Sequence, residues 1–257
     1  MSYRTEIREK LRILKEDYGV FGVKAEFEAE GSRKDELIML REFTDSAELG
    51  LIIKIGGCEA VHDLDQCKLL DVAGVMAPMI ETPFAMEKFK GAVKKVYGQS
   101  PSIEIIINAE TKTCLQSFDE ILDCGEAFLT GVTVGRSDLS ASMGIERKDI
   151  ETEAVFNATK AFLEKAERRN LTTNFGGNIG IESIPFIIRM FPYAERFETR
   201  KVICPTVDNA ERLKRTIKAA LDFELLYLQF KSDYYASMSM EDRQRIERLR
   251  RQISAVS

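Results

Sequence analysis

The chain contains 257 residues, 44% of them apolar, and its 37 basic and 42 acidic residues leave a net charge of −5. This mildly acidic balance gives no support to nucleic-acid binding, and no apolar run is long enough to cross a membrane. The charged amphipathic segment at residues 1–18 is unlike a signal peptide. Five scattered cysteines without zinc-binding spacing indicate free thiols, so we expect a cytoplasmic protein.

Strands and helices alternate along the sequence. After a helix predicted at 1–18, seven apolar segments bounded by glycine, proline or polar residues are predicted to be strands. These strands cover residues 20–27, 49–57, 72–84, 103–111, 128–140, 171–180 and 196–204. Helical periodicity fills the segments between them, and from residue 209 the chain is helical nearly to its end, with a break at 240–241.

This alternation indicates a parallel sheet of the α/β class. Almost every predicted strand ends in glycine or polar residues, and a barrel explains so many polar ends on one face better than an open sheet with a single switch point. We therefore predict one (β/α)8-type TIM barrel over residues 1–257, with a C-terminal helical extension at 206–257. Only seven strands stand out, so either an eighth is hidden, for example near the N-terminus, or the barrel is incomplete.

Two neighbouring strands deliver polar side chains at their ends. The segment IEIIINAET at 103–111 ends in Asn108, Glu110 and Thr111, and the segment GVTVGRSDLSASMG at 131–144 brings Asp138 to the end of the next strand. Two carboxylates side by side, with water and substrate in the remaining positions, commonly hold Mg²⁺ or Mn²⁺. The alternative is a pair of acids that cap helices, with Asp138 capping the turn DLSAS.

Three stretches, VAGVMAPMIETPF, INAET and GRSDLSASMG, together resemble the HpcH/HpaI aldolase and citrate lyase β-subunit family of the phosphoenolpyruvate/pyruvate-binding superfamily. The resemblance extends from about residue 20 to residue 204. It implies that Glu110 and Asp138 bind a divalent metal, either Mg²⁺ or Mn²⁺. It also implies that Asn108 contacts substrate and that the backbone from Gly135 to Ser137 holds a substrate carboxylate.

The resemblance implies a metal-dependent carbon–carbon lyase or aldolase that works through the enolate of a pyruvate-like 2-oxo acid. The small oxo acid is then the ligand, and no lysine Schiff base is needed. A second class of function stays open: a barrel without the aldol base that binds or senses a ligand, or that runs different chemistry on an oxo acid or a phosphoenolpyruvate-like substrate.

The second class stays open because the chain departs from the family. The family has an acidic residue and a catalytic histidine after the strand that matches VKAEFEAEG, whereas this chain has Glu28 and Glu30 there. Either glutamate could replace the base, could be an additional metal ligand, or could be a solvated acid at a strand end. Lys54 stands where the family has an arginine that stabilises the enolate oxygen. A lysine keeps the positive charge but cannot form the two parallel hydrogen bonds of a guanidinium group.

Three further residues bear on the substrate. Arg136 takes the place of a family proline, and Arg200 follows in the seventh predicted strand, so both would suit a substrate with an additional phosphate or carboxylate. The single histidine, His62, is predicted in a helix without a family match, and we interpret it as a surface or structural residue. The C-terminal helices are apolar and aromatic, and the resemblance implies that they pack between subunits, so we expect a homo-oligomer. The alternatives are a helix that binds another partner and a solvated tail.

Overall fold

The structure is a computed structural model and describes residues 2–254. Its eight strands close into a barrel in sequence order, β1 to β8, so the predicted (β/α)8-type fold is confirmed. The strands are β1 Gly22–Glu26, β2 Gly50–Lys54, β3 Gly74–Ala77, β4 Glu104–Ala109, β5 Gly131–Gly135, β6 Thr172–Gly176, β7 Arg196–Glu198 and β8 Val202–Pro205.

Helices follow most strands and surround the barrel. They are α1 Tyr3–Tyr18, α2 Lys34–Ser46, α3 Val61–Leu69, α4 Pro83–Tyr97, α5 Lys112–Gln116, α6 Phe118–Cys124, α7 Arg136–Ser142, α8 Glu153–Glu167, α9 Ile184–Met190, α10 Ala210–Met238 and α11 Met240–Ser254. Short 3₁₀ turns lie at Arg147–Asp149 and Ile181–Ser183. The break between α10 and α11 falls at Ser239, just before the position predicted at 240–241.

The eighth strand is not near the N-terminus. It lies inside the segment predicted as the seventh strand, which folds as two strands, β7 and β8, joined by a turn at residues 199–201. β8 pairs antiparallel with both β7 and β1, while the other neighbouring strands pair in parallel. The barrel is therefore complete, but one strand runs against the other seven.

Alternation along the strands sorts side chains between the two faces of the barrel wall. Residues such as Val23, Val75 and Phe175 point outward and join the main apolar core between the barrel and its helices. A separate, small apolar cluster fills the inside of the barrel: Ile52, Met76, Ile106 and Ile203. Above this cluster, toward the C-terminal ends of the parallel strands, the interior becomes polar, which positions the site described next.

The long helix α10 contacts α2 through polar side chains. Tyr235 donates a hydrogen bond to the Glu36 carboxylate (2.6 Å), and Lys231 forms an ion pair with the same carboxylate (2.8 Å). By contrast, residues 243–251 of α11 are all exposed. No helix within residues 2–254 combines the length and apolar character that a membrane span requires.

Candidate active site

A cavity of about 440 Å³ opens at the C-terminal ends of the parallel strands. Its wall contains four cationic side chains, Lys24, Lys54, Arg147 and Arg200, and six carboxylates, Glu26, Glu110, Asp138, Glu182, Glu198 and Glu224. Asn108, Gly135 and Ser137 also line it. Active sites of barrel enzymes lie on this face, because the loops that follow the strands converge there.

Glu110 lies at the centre of the site and is 1% exposed. Its carboxylate accepts hydrogen bonds from the backbone N–H of Met79 (2.9 Å) and from the side-chain amide of Asn108 (3.0 Å). Lys54 Nζ lies 3.7 Å from Oε2 of the same carboxylate. Burial raises the pKa of Glu110, and the Asp138 carboxylate adds to the rise, although Lys54 and the two hydrogen bonds oppose it.

Asp138 lies near Glu110 on the cavity wall, just after the end of β5, the next strand along the barrel. It lies in the first turn of α7, where Gly135 is the N-cap residue and no side chain makes a capping hydrogen bond. The alternative in which Asp138 caps this turn is therefore wrong. A Cβ atom on Gly135 would come within 2.6 Å of Glu110 Oε2, so glycine at this position lets the end of β5 approach the Glu110 carboxylate closely.

The arrangement fits a divalent cation. No group of three or more His, Cys, Asp or Glu side chains among residues 2–254 could hold a metal ion, but Mg²⁺ commonly binds through one or two carboxylates with substrate and water in its remaining positions. Glu110 and Asp138 present two carboxylates, which are hard oxygen donors of the kind that such a cation prefers. Beside them, Oδ1 of Asn108 is buried without a hydrogen-bond partner among the described residues, which leaves another oxygen available.

A second polar cluster, on the wall of the cavity, was not predicted from the sequence. Lys24, which is 6% exposed, forms ion pairs with Glu198 from β7 and with Glu26 (3.2 Å). Asn174 donates a hydrogen bond to Glu198 (2.8 Å). Burial lowers the pKa of Lys24, but the two carboxylates outweigh it and hold that pKa above its ordinary value. Burial likewise acts to raise the pKa of Glu26, yet Lys24 and Lys54 bring it below its ordinary value.

One signal for this cluster was present in the sequence. Lys24 and Glu26 alternate with Val23 and Ala25 in VKAE, which places both charged side chains on the inner face of β1. Their partner Glu198 lies 174 residues after Lys24, so only closure of the barrel brings the cluster together.

The structure does not place Arg136 in the cavity. Its side chain is fully buried, donates hydrogen bonds to the carbonyl oxygens of Gly176 (3.2 Å) and Gly177 (2.9 Å), and pairs with Glu151 (3.0 Å). The guanidinium also lies over the ring of Phe186. Arg136 thus joins the loop after β5 to the loop after β6, and its position does not support the predicted substrate contact.

Of the other predicted site residues, Arg200 lines the cavity, whereas Glu28 and Glu30 do not. Arg200 lines the cavity but lies in the turn between β7 and β8, where it pairs with Glu30 (3.2 Å). Glu30 also pairs with Lys201 and does not line the cavity. Glu28 is exposed and lies outside the cavity wall, and its carboxylate packs over Gly56. The geometry therefore gives no support to either glutamate as the missing base.

The remaining sequence features have structural explanations. His62 is exposed on α3, as expected for a surface residue. Gly177 has a φ of +95°, and a Cβ atom there would lie 2.6 Å from the backbone nitrogen of Ser137. The glycines after β6 thus form a tight turn against the start of α7, next to the cavity wall.

Three solved structures are similar to this fold. An HpcH/HpaI aldolase/citrate lyase family protein from Burkholderia cenocepacia J2315 has a TM-score of 0.61 at 14% identity, over 84% of this chain and 90% of that one. An HpcH/HpaI aldolase from Desulfitobacterium hafniense DCB-2 has a TM-score of 0.59 at 14% identity, over 74% and 79%. The citrate synthase SbnG has a TM-score of 0.58 at 15% identity, over 88% and 90%. Identities this low establish the fold alone.

The family is established by the sequence. No curated protein matches the chain, but the sequence model of the HpcH/HpaI aldolase/citrate lyase family matches residues 43–174, slightly more than half of it. The match includes Lys54, Asn108, Glu110 and Asp138. It excludes β1, the loop after β6, β7 and α10, which also contribute residues to the cavity wall. Members are generally dependent on divalent metals, and membership supports a lyase or aldolase kind of function. The chain belongs to the HpcH/HpaI aldolase/citrate lyase family.

Proposed function

We propose that the protein is a divalent-metal-dependent carbon–carbon lyase or aldolase that acts through the enolate of a pyruvate-like 2-oxo acid. The observation that carries the proposal is the arrangement at one cavity of the buried Glu110, Asp138 at the start of α7, and Asn108 with an unpaired oxygen. Family membership supports the same class of reaction.

Each residue has a defined part in this proposal. Glu110 and Asp138 hold Mg²⁺ or Mn²⁺, which when bound stabilises negative charge on the substrate oxygen. Asn108 fixes the Glu110 carboxylate through its amide group and presents its oxygen to the site. Lys54 supplies a positive charge where the enolate oxygen develops. The backbone from Gly135 to Ser137, at the start of α7, orients the carboxylate of the oxo acid.

The central experiment measures enolate formation directly. Wild-type protein loaded with Mg²⁺ or Mn²⁺ is incubated with pyruvate in D₂O, and loss of the methyl proton signal is followed by NMR. We expect exchange in the wild type and none above background in Glu110→Ala and Asp138→Ala, which should also lose Mn²⁺ binding in a titration. Unchanged Mn²⁺ binding in both variants would rule out the metal site.

The second candidate function is a ligand-binding or regulatory barrel, or a protein that runs different chemistry on an oxo acid or a phosphoenolpyruvate-like compound. It is favoured by the cavity wall, which contains no histidine among the residues described. Under this alternative, oxo acid would bind in the presence of metal, but the methyl protons of pyruvate would not exchange.

The proposal includes a homo-oligomer in the cytoplasm. The exposed α11, with apolar side chains at Met240, Ile246 and Leu249, supports contact between subunits through the C-terminal helices. The cytoplasmic location rests on five scattered cysteines, an odd number typical of free thiols in a reducing compartment.

A further inference from the structure

The proposed reaction needs a group that accepts and returns a proton, and the family histidine is missing. His62 is exposed on α3 and does not line the cavity. Glu28 and Glu30 do not line it either. The replacement must therefore come from another side chain that faces the substrate space.

The six carboxylates of the cavity wall differ in their partners. Glu110 and Asp138 are assigned to the metal. Glu26 and Glu198 both form ion pairs with Lys24, and Glu198 also accepts a hydrogen bond from Asn174. These four carboxylates are therefore committed to other interactions, and Glu182 and Glu224 remain.

Glu224 differs from Glu182 in its environment. Glu182 is exposed on the 3₁₀ turn after β6, whereas Glu224 is half-buried on α10, one helical turn after Leu221, which also lines the cavity. Neither a hydrogen bond nor an ion pair to the carboxyl group of Glu224 occurs within the part of the chain that the structure describes. Its carboxyl group is thus free to react with a ligand.

The charges around Glu224 leave it able to exchange protons. Burial raises the pKa of Glu224. Lys201 and Arg200 oppose the rise, Glu30 adds to it, and Lys24 opposes it more weakly. Lys201 and Arg200 are themselves paired with Glu30, so part of their charge is already compensated. A carboxyl group whose pKa lies closer to neutrality is a more effective general acid and base.

We propose that Glu224 is the catalytic acid/base of this cavity, a role that rests on the proposed function. In the forward direction its carboxylate accepts a proton from the methyl carbon of the oxo acid, and the C–H electron pair forms the enolate. The enolate carbon then bonds to the carbonyl carbon of the acceptor, whose oxygen takes the electron pair of the C=O bond and the proton held by Glu224. Cleavage follows the same path in reverse.

The experiment compares three variants of the full chain with the wild type in the pyruvate exchange assay. Glu224→Gln removes the proton-transfer group but keeps the size of the side chain. Glu224→Asp keeps the carboxyl group. Glu211→Gln removes one exposed carboxylate from the first turn of the same helix, outside the cavity, and is the matched control.

We expect Glu224→Gln to lower the exchange rate at least about 100-fold, as loss of a general base typically does. Glu224→Asp should recover part of the rate, and Glu211→Gln should equal the wild type. Mn²⁺ affinity and binding of pyruvate, measured by titration, should change by less than about twofold in Glu224→Gln. The acidic limb of the wild-type pH–rate profile should disappear in this variant, which a merely structural role would not cause.

Two results would overturn the inference in different ways. Exchange in Glu224→Gln within threefold of the wild-type rate would reject Glu224 as the base while leaving the proposed function intact. Parallel loss of Mn²⁺ or pyruvate binding in that variant would assign Glu224 to binding instead. No exchange in the metal-loaded wild type would reject the proposed function and this inference with it.

Discussion

Lys24 is the charged residue on which the polar interior of the barrel depends. It lies between Glu26 and Glu198 at 6% exposure. A buried charge is tolerated only when opposite charges and hydrogen bonds compensate for its lost hydration. Here Lys24 compensates for two carboxylates at once, so its removal would leave Glu198 with the Asn174 amide and Glu26 with the weaker influence of Lys54.

We predict that Lys24→Met destabilises the protein by about 3–5 kcal/mol, the usual cost of breaking a buried ion pair by removing one partner. Urea unfolding at pH 7 measures the change. Lys218→Met is the control, because Lys218 is an exposed residue paired with Asp222 and its loss should cost less than about 1 kcal/mol. A loss in Lys24→Met no larger than in the control would contradict the structural assignment.

The pH dependence of this effect follows from the direction of each shift. The pKa of Glu26 is lowered in the fold, so its contribution is present above about pH 4.5 and is lost as the pH falls through the folded-state pKa. The pKa of Lys24 is raised, so its contribution is complete below pH 10.5 and is lost only as the pH rises further. The loss of stability in Lys24→Met should therefore be constant at neutral pH and smaller in acid, where Glu26 becomes neutral.

At the scale of elements, the strand end that carries Gly135 determines how closely β5 approaches Glu110. Gly135 has an ordinary backbone conformation, with φ −82°, so alanine would fit the backbone. The obstacle is steric, because the added Cβ atom would lie 2.6 Å from Glu110 Oε2. The carboxylate or the strand would have to move.

We predict that Gly135→Ala lowers Mn²⁺ affinity about 10- to 100-fold, as changes that displace a metal ligand usually do. The measurement is a Mn²⁺ titration followed by electron paramagnetic resonance. Gly91→Ala in α4 is the matched control, since a Cβ atom there meets nothing within 4 Å. It should keep the wild-type affinity and gain about 0.5–1 kcal/mol in stability from the better helix propensity of alanine. Wild-type affinity in Gly135→Ala would contradict the proposed position of the metal.

The sequence does not predict that the last apolar segment folds as two strands, β7 and β8. RFETRKVIC contains no glycine, proline, asparagine or aspartate, the residues that usually signal a turn between strands. The turn forms instead because Thr199 pairs with Val202 through backbone and side-chain hydrogen bonds. A segment with this apolar and charged alternation is indistinguishable from one continuous strand until the register of β8 against β1 is known.

The same limit applies to the site. Glu110, Asp138 and Asn108 were predictable, because polar residues that interrupt the ends of neighbouring buried strands point to a common place. Glu198 and Glu224 were not predictable. Glu198 meets Lys24 of β1 only when the barrel closes. Glu224 reaches the cavity only because α10 packs beside it. Arg136 was misplaced, because a sequence motif fixes the position of a residue and not the direction in which its side chain points.

At the scale of the whole molecule, α11 is the element with the least internal support. All residues at 243–251 are exposed. Ile246 and Leu249 are 47% and 39% exposed and lie three residues apart, on the same side of the helix. An isolated helix of this length is marginal in water unless its apolar side is covered. In the proposed homo-oligomer, a second copy of the chain covers the apolar side of α11.

We predict that the double variant Ile246→Glu, Leu249→Glu lowers the oligomeric state, because two carboxylates would have to be buried in the contact between subunits. Light scattering coupled to size-exclusion chromatography measures the mass of the full-length variant and wild type. The matched control is Gln244→Glu, Arg248→Glu, which places two new carboxylates on the opposite side of α11 and should leave the mass unchanged. A wild-type protein that is monomeric at all concentrations tested, or a double variant with the wild-type mass, would contradict assembly through this helix.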